Sequence, residues 1–121
     1  MVLATETLPY TRDLRLLVVH VKSKNSANTV LDVDSSNGSF NLEVRRVPDG
    51  LRSGSQVDAE AGELVASRNL MPDDGWRFLP LAEFDNTTAI VVPAGGTFAL
   101  SAELKRGEDY EAAEQIVHVP R

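Results

Sequence analysis

The sequence contains no cysteine. Disulfide bonds, zinc sites with thiolate ligands, iron–sulfur clusters and cysteine nucleophiles are therefore excluded. Cysteine usage is also the usual sign of an oxidising or a reducing compartment, so its absence leaves the compartment of the protein open.

Positive charge is scarce and is not clustered. The 121 residues include 12 Lys and Arg against 18 Asp and Glu, which gives a net charge of −6. The adjacent basic pairs, at residues 45–46 and 105–106, each have acidic residues close by. Binding to nucleic acids and to anionic membranes depends on clustered basic residues, so we expect neither partner.

Long hydrophobic runs are also missing. The longest uncharged stretch, residues 86–102, contains Pro93, Gly95 and Gly96 and does not have the pattern of a membrane span. Residues 1–6 lack the basic start and the apolar core of a signal peptide. We therefore expect no membrane insertion. The localisation stays unknown, because an extracytoplasmic protein whose leader had been trimmed would look the same.

What the sequence does contain is an ordinary globular composition. Hydrophobic residues make up 42% of the chain and charged residues 25%, close to the average for soluble domains. A chain of this length can bury roughly two-thirds of its unfolded surface, which suffices for a core without cross-links. We expect one domain over residues 1–121, in which residues 1–13 form an extended N-terminal lead-in.

Short segments rich in β-branched residues alternate with turn residues along the chain. Leu14–Val21 is apolar on both faces in its middle, which is typical of a central strand covered on both sides. Further short strands are predicted at residues 76–79, 88–92 and 110–119, although the start of the last segment is also compatible with a helix. About seven strands without a strong long helix predict an all-β fold, a single antiparallel β-sandwich.

One segment alternates strictly between apolar residues and others. Phe98, Leu100 and Leu104 fall on one side of it, and Thr97 and Ser101 fall on the other. Because successive side chains of a strand point to opposite faces, we expect the first three in the core and the last two on the opposite face.

Asn37 and Gly38 form the preferred pair for a two-residue hairpin turn of type I′, in which both residues need positive φ. With this pair at the tip, apolar residues of the two flanking strands face each other on one side. The sequence therefore predicts a hairpin with these buried residues: Leu31, Val33, Phe40, Leu42 and Val44.

Residues 57–67 are ambiguous. Helix-forming residues are frequent there, but Gly62 lies in the middle and no capping residue precedes the segment. Two short strands on either side of Gly62 are favoured over one or two helical turns.

Residues 91–104 combine a strand, a turn that contains Pro93, Gly95 and Gly96, and the alternating strand. This step resembles the Ig-like and fibronectin-like β-sandwich accessory domains of bacterial proteins. The Cys…Trp…Cys spacing of true immunoglobulin domains is absent. The resemblance implies an Ig-like sandwich that binds, spaces or inhibits, and it assigns no site residues.

Two histidines, His20 and His118, occur in matching Val-His-Val contexts near the two ends of the chain. If the first and last strands are neighbours, the two imidazoles could approach each other and an acidic residue could complete a metal site. Two independent strand histidines are the favoured alternative, because two ligands do not make a metal site.

Asp32, Asp34 and Glu43 superficially match a calcium-binding loop. The glycine falls one position later than such a loop requires. In the predicted hairpin Asp32 lies opposite Glu43, and a cation or Arg45 would have to neutralise this pair of like charges. We expect weak or no calcium binding, with an arginine neighbour or solvent in place of the cation.

The sequence carries no recognisable catalytic motif. It lacks the G-x-S-x-G nucleophile motif and a glycine-rich phosphate loop, so we assign no catalytic residues and expect no cofactor. The favoured function is a non-catalytic module that engages a protein partner or a second copy of itself through an edge strand or a sheet face. A small metal- or calcium-dependent domain and an enzyme of unrecognised type are the alternatives.

Overall fold

A computed structural model describes residues 1–26, 28–34, 36–50, 62–71 and 75–121. Within these residues the protein contains nine β-strands and no helix, and every strand pairing is antiparallel. The predicted all-β antiparallel sandwich is therefore confirmed. In chain order the strands are β1 (Val2–Pro9), β2 (Leu14–Lys24), β3 (Leu31–Val33), β4 (Gly38–Val47), β5 (Glu63–Asn69), β6 (Trp76–Phe78), β7 (Glu83–Pro93), β8 (Thr97–Arg106) and β9 (Asp109–His118).

The first layer is a three-stranded sheet in the order β1-β2-β7. The segment predicted as an extended lead-in contains β1, which pairs with β2 along its whole length. The central position predicted for residues 14–21 is confirmed, because β2 pairs with β1 on one edge and with β7 on the other. Leu17, Val19 and Val21 of β2 are fully buried in the core.

The second layer is a four-stranded sheet in the order β5-β4-β8-β9, and β3 pairs with β6 as a separate two-stranded ribbon. Within the ambiguous segment, residues 63–67 belong to β5, as the strand interpretation predicted, and residues 57–61 lie outside the described residues. The last segment is strand from residue 109 onwards, so its helical alternative is wrong.

The predicted hairpin between residues 31 and 44 is wrong. β4 pairs with β5 on one edge and with β8 on the other, which leaves no edge for β3, and β3 pairs with β6 instead. The φ angle of Gly38 lies outside the left-handed region, so no type I′ turn forms. A glycine is needed there for a different reason, since a Cβ atom would lie 2.0 Å from the Lys105 carbonyl oxygen of β8.

The turn that replaces the hairpin carries the chain from the ribbon to the four-stranded sheet. The amide groups of Asn37 and Gly38 donate to the Asp34 carbonyl at 3.3 and 2.9 Å. The predicted burial nevertheless holds for four of the five apolar residues, because the strand alternation is the same whichever strand is the partner. Val33, Phe40, Leu42 and Val44 are buried, whereas Leu31 is half-buried.

The core lies between the inner faces of the two layers. Phe98, Leu100 and Ala102 of β8 are buried, Leu104 packs against them while half-buried, and Ser101 is half-buried on the other face, as the alternation predicts. Each fully buried leucine or phenylalanine contributes roughly 1.5–3 kcal/mol. Thr97 also points away from this core, but it is only 1% exposed, and its hydroxyl lies within hydrogen-bond distance of Asp49 and His118.

Candidate functional site

The structure places the two histidines in different sheets. His20 lies in the central strand of the three-stranded sheet, and His118 lies at the end of the edge strand β9. The first and last strands do contact each other, but His20 belongs to β2. Nδ1 of His20 lies 3.0 Å from the Thr87 hydroxyl, and Nδ1 of His118 lies 3.0 Å from the Thr97 hydroxyl. Each imidazole thus has a separate hydroxyl partner.

The Thr97 hydroxyl links His118 to an acidic residue. It donates to Oδ1 of Asp49 at 3.1 Å. Because a hydroxyl group has one proton, His118 must donate from Nδ1 to the same oxygen. This chain of hydrogen bonds orients the imidazole at the end of β9.

The three carboxylates proposed for calcium are also separated. Asp32 lies opposite Arg77 and accepts a hydrogen bond from its Nε at 2.9 Å. Glu43 lies 3.3 Å from the Arg45 guanidinium. The like-charge pair of Asp32 and Glu43 therefore does not form, and each of the two has an arginine neighbour.

Asp34 holds the turn after β3. Its Oδ1 accepts hydrogen bonds from the Ser36 hydroxyl at 2.5 Å and from the Ser36 amide at 2.8 Å. These bonds hold the pKa of the Asp34 carboxyl below its ordinary value, because they favour the ionised form. Among the described residues, no group of three or more His, Asp or Glu side chains is placed to hold a metal ion.

The outer face of the three-stranded sheet carries a surface that the sequence analysis did not single out. The strand registers place Leu8, Leu16 and Val91 in one row across it, and Val18 and Ala89 lie in the next row together with Glu6 of β1, which borders the apolar residues. Leu8 is 41% exposed and Val91 is 42% exposed. We define the apolar face as Leu8, Leu14, Leu16, Val18, Ala89, Val91 and Pro93.

One sequence pattern partly predicts the apolar face. The middle of β2 is apolar on both sides, which predicts a strand covered on both sides. One side is indeed the core. On the other side, the described residues leave Leu8 and Val91 partly open to solvent. Tyr10, in the connection that follows Leu8, is 57% exposed at the same end of the sheet.

The outer face of the four-stranded sheet is more polar over most of its area, although one row places Ala99 and Ile116 beside Arg45. Its registers bring together Glu43, Ser101 and Glu114 in one row and Lys105 and Tyr110 in another. We define the polar face as Asn41, Glu43, Ser101, Glu103, Lys105, Tyr110 and Glu114.

Side chains of the polar face bond mainly to one another. The Tyr110 hydroxyl donates to Glu103 at 2.9 Å, and the Lys105 ammonium lies 3.9 Å from the same carboxylate. The Lys105 ammonium is also 5.9 Å from the centre of the Tyr110 ring. The hydrogen bond to Glu103 raises the pKa of Tyr110, because it favours the protonated phenol.

Comparisons with known proteins identify the fold and no family. No protein-family model and no curated protein matches the chain. Among solved structures, a β-glucuronidase from glycoside hydrolase family 2 superposes with a TM-score of 0.60 at 8% identity, over 97% of this chain and 11% of that chain. A Bacteroides uniformis β-glucuronidase gives 0.64 at 10% identity, over 97% of this chain and 13% of that chain.

A second Bacteroides uniformis structure, β-glucuronidase 2 covalently bound to cyclophellitol-6-carboxylate aziridine, gives a TM-score of 0.63 at 10% identity, again over 97% of this chain and 13% of that chain. Identities this low show a shared fold alone. The chain spans 11 to 13% of the lengths of these enzymes, so it matches one β-sandwich part of each. The β-sandwich resemblance stated from residues 91–104 is consistent with these matches.

In the part of the chain that the structure describes, no helix is long and apolar enough to cross a membrane.

Proposed function

We propose that the chain is a non-catalytic accessory β-sandwich that packs against another protein domain through its apolar face. The observation that carries the proposal is the row of Leu8, Leu16 and Val91 on the outer side of a sheet whose inner side already forms the core. Such a row adds little to folding while it faces water, and contiguous exposed apolar surface is typical of interaction sites.

The size of the apolar face favours a neighbouring domain as its occupant. The apolar face spans three strands about 4.8 Å apart and residues 14–18 of β2 at a rise of about 3.3 Å each, which gives roughly 240 Å². Contact over this surface would bury about 480 Å² in total, well below the ~1,200 Å² at which freely associating partners form stable complexes. Contacts between domains of one chain bury ~600–1,500 Å², so the contact with a neighbouring domain must extend beyond the apolar face.

The solved structures support the same interpretation. They contain this fold as one part of a much longer chain. We therefore infer that the adjoining domain belongs to a carbohydrate-active enzyme, to which this chain is an accessory.

The strand order supports the Ig-like form of the sandwich. β1, β2 and β7 correspond to strands A, B and E of that fold, and β4, β8 and β9 to strands C, F and G. β5 takes the place beside strand C that some Ig-like domains add to the second sheet.

Photo-cross-linking from matched positions tests the proposal. A benzophenone amino acid is introduced at Val91 on the apolar face, or at Ser101 on the polar face, in the cells that make the protein. We expect cross-linking from position 91 to one identifiable protein domain, and none from position 101. If no cross-link forms from either position, or if one forms only from position 101, the apolar face is not a docking surface.

Sedimentation velocity of the purified chain tests the alternative occupant, a second copy. We expect a monomer at micromolar concentration, because the face is too small for a stable homodimer. A dimer that dissociates on Val91→Lys and persists on Ser101→Lys would assign the apolar face to self-association instead.

A further inference from the structure

A second exposed apolar cluster lies at the opposite end of the three-stranded sheet from the apolar face. Val30, Leu79 and Leu81 are 42%, 57% and 67% exposed. Leu81 lies just before β7 begins, whereas the apolar face is formed near the end of that strand. We call these three residues the leucine tip.

One buried side chain holds the backbone of the leucine tip. Asn25 is 4% exposed, and its Nδ2 lies 2.9, 3.1 and 3.2 Å from the carbonyl oxygens of Thr29, Phe78 and Leu79. The two hydrogens of Nδ2 serve these three acceptors, so one hydrogen is shared between two carbonyl groups. Because one nitrogen atom reaches both Thr29 and Leu79, the segments that carry Val30 and Leu79 must lie side by side.

The main chain of Asn25 also bonds to the segment that carries Leu81. Its carbonyl accepts from the Leu81 amide at 2.8 Å, and its amide donates to the Ala82 carbonyl at 2.9 Å. The Ala82 amide in turn donates to the Leu79 carbonyl at 3.0 Å. These hydrogen bonds tie residues 79–82 to Asn25, and a segment held in this way loses less conformational entropy on binding than an unattached loop.

Leu81 has a backbone conformation that leucine rarely adopts. Its φ is 64°, and it is the single positive-φ residue other than glycine in the described part of the chain. A bulky side chain in this region is an outlier and costs stability, whereas glycine adopts it freely. With 67% of Leu81 exposed, its side chain recovers little of that cost by burial within the chain.

We propose that the leucine tip is a preformed contact that inserts Leu79 and Leu81 into an apolar pocket of a partner protein. Strained residues that the surrounding structure holds in place tend to occur where a side chain must be presented to a ligand. The site is separate from the apolar face and does not depend on it.

The charges beside the leucine tip indicate a protein pocket with a near-neutral rim. Lys24 and Glu83, both exposed, lie opposite each other next to the tip and balance in charge. An anionic lipid surface would be repelled by the net charge of −6 and would find no basic cluster at the tip.

The first experiment locates the partner. A benzophenone amino acid replaces Leu81 in the cells that make the protein, and the matched control carries it at Tyr110, which is 59% exposed on the polar face. We expect cross-linking from position 81 to a protein segment rich in apolar residues, and none from position 110. Cross-links to lipid, to a second copy alone, or to nothing would overturn the proposal.

The second experiment uses the purified chain with the cross-linked protein. Leu81→Gly should weaken their affinity about tenfold or more, the effect expected of a central apolar contact. Its melting temperature should be unchanged or higher, because glycine removes the strain at φ 64°. Leu81→Met should keep the affinity within about threefold. An affinity unchanged by Leu81→Gly would refute the inserted-leucine contact.

The outcome is independent of the proposed function. Val91→Thr tests binding to the domain cross-linked from position 91, and Leu81→Gly tests binding to the protein cross-linked from position 81. Loss of the first interaction alone would retain the apolar face and reject the leucine tip, and loss of the second alone would do the reverse.

Discussion

The outer face of the three-stranded sheet carries Leu8, Leu16 and Val91 in one row, whereas a row on the outer face of the four-stranded sheet carries Glu43 and Glu114 on either side of a serine. Both sheets bury their inner faces in the same core. Folding of the sandwich therefore does not require the difference between the outer faces, and this difference is the basis of the docking proposal.

The two faces also differ in how their side chains are satisfied. On the polar face, hydrogen bonds and ion pairs join Tyr110, Glu103 and Lys105 to one another. On the apolar face, side chains such as Val91 and Leu8 can gain only by losing water. These side chains of the polar face already have partners within the chain. The apolar face, by contrast, would gain free energy if another domain covered it.

The largest expected effect separates the two sides of one strand. Leu17→Ala should lower the free energy of unfolding by ~2–5 kcal/mol, because it opens a cavity in the core. Leu16→Ala, on the half-buried outer side, should cost about 1 kcal/mol or less. Urea denaturation of both variants measures the difference, and equal losses would show that β2 is packed equally on its two sides. Leu100→Ala, at the same depth in the other sheet, serves as the control for a core leucine.

A second prediction removes the apolar character without touching the core. Leu8→Thr and Val91→Thr should each change the free energy of unfolding by about 0.5 kcal/mol or less, as expected of surface sites. Binding of an environment-sensitive apolar dye should fall in both variants. Ser101→Thr on the polar face is the control and should change neither quantity. A stability loss of about 2 kcal/mol at Leu8 or Val91 would place that residue in the core instead.

A third prediction concerns the pH dependence of the polar face. The pKa of Tyr110 is raised by its hydrogen bond to Glu103. The stability from this bond should therefore be present below the ordinary tyrosine pKa of about 10 and lost as the pH rises through the higher folded value. Phenolate absorbance, assigned by its loss in Tyr110→Phe, should titrate at lower pH in Glu103→Gln. A midpoint that Glu103→Gln leaves unchanged would show that the bond is not populated in solution.

The smallest expected effect concerns calcium. The carboxylates of Asp32, Asp34 and Glu43 already bond to an arginine or to a turn of their own chain. Millimolar calcium should therefore leave the melting temperature unchanged relative to a chelator control. A rise that disappears in Asp34→Ala would instead support the calcium-dependent alternative.

Local alternation was sufficient to predict an all-β sandwich and the buried faces of several of its strands. The burial of Phe98 and Leu100, and the central place of β2, follow from patterns within single strands. The hairpin failed because Asn37 and Gly38 are a local turn signal, while the partners of β4 are the distant strands β5 and β8. Competition for those two edges decided the pairing.

The candidate site required information that a single sequence does not contain. Leu8, Leu16 and Val91 become neighbours only through the registers of β1 and β7 on β2, and β7 lies far along the chain. The leucine tip was equally hidden, because the positive φ of Leu81 and its attachment to Asn25 belong to the tertiary structure. The sequence showed only that β2 is apolar on both sides. One of these sides forms the core, and the other forms part of the apolar face.

Two tyrosines allow the most direct test of the difference between the faces. Tyr10 beside the apolar face and Tyr110 on the polar face are 57% and 59% exposed in the isolated chain. Oxidation by hydroxyl radicals should therefore be similar for both in the purified protein. In intact cells, we expect Tyr10 to be protected while Tyr110 stays reactive. Unchanged reactivity of Tyr10 in the cell, or protection of Tyr110 in its place, would contradict the assignment of the apolar face as the docking surface.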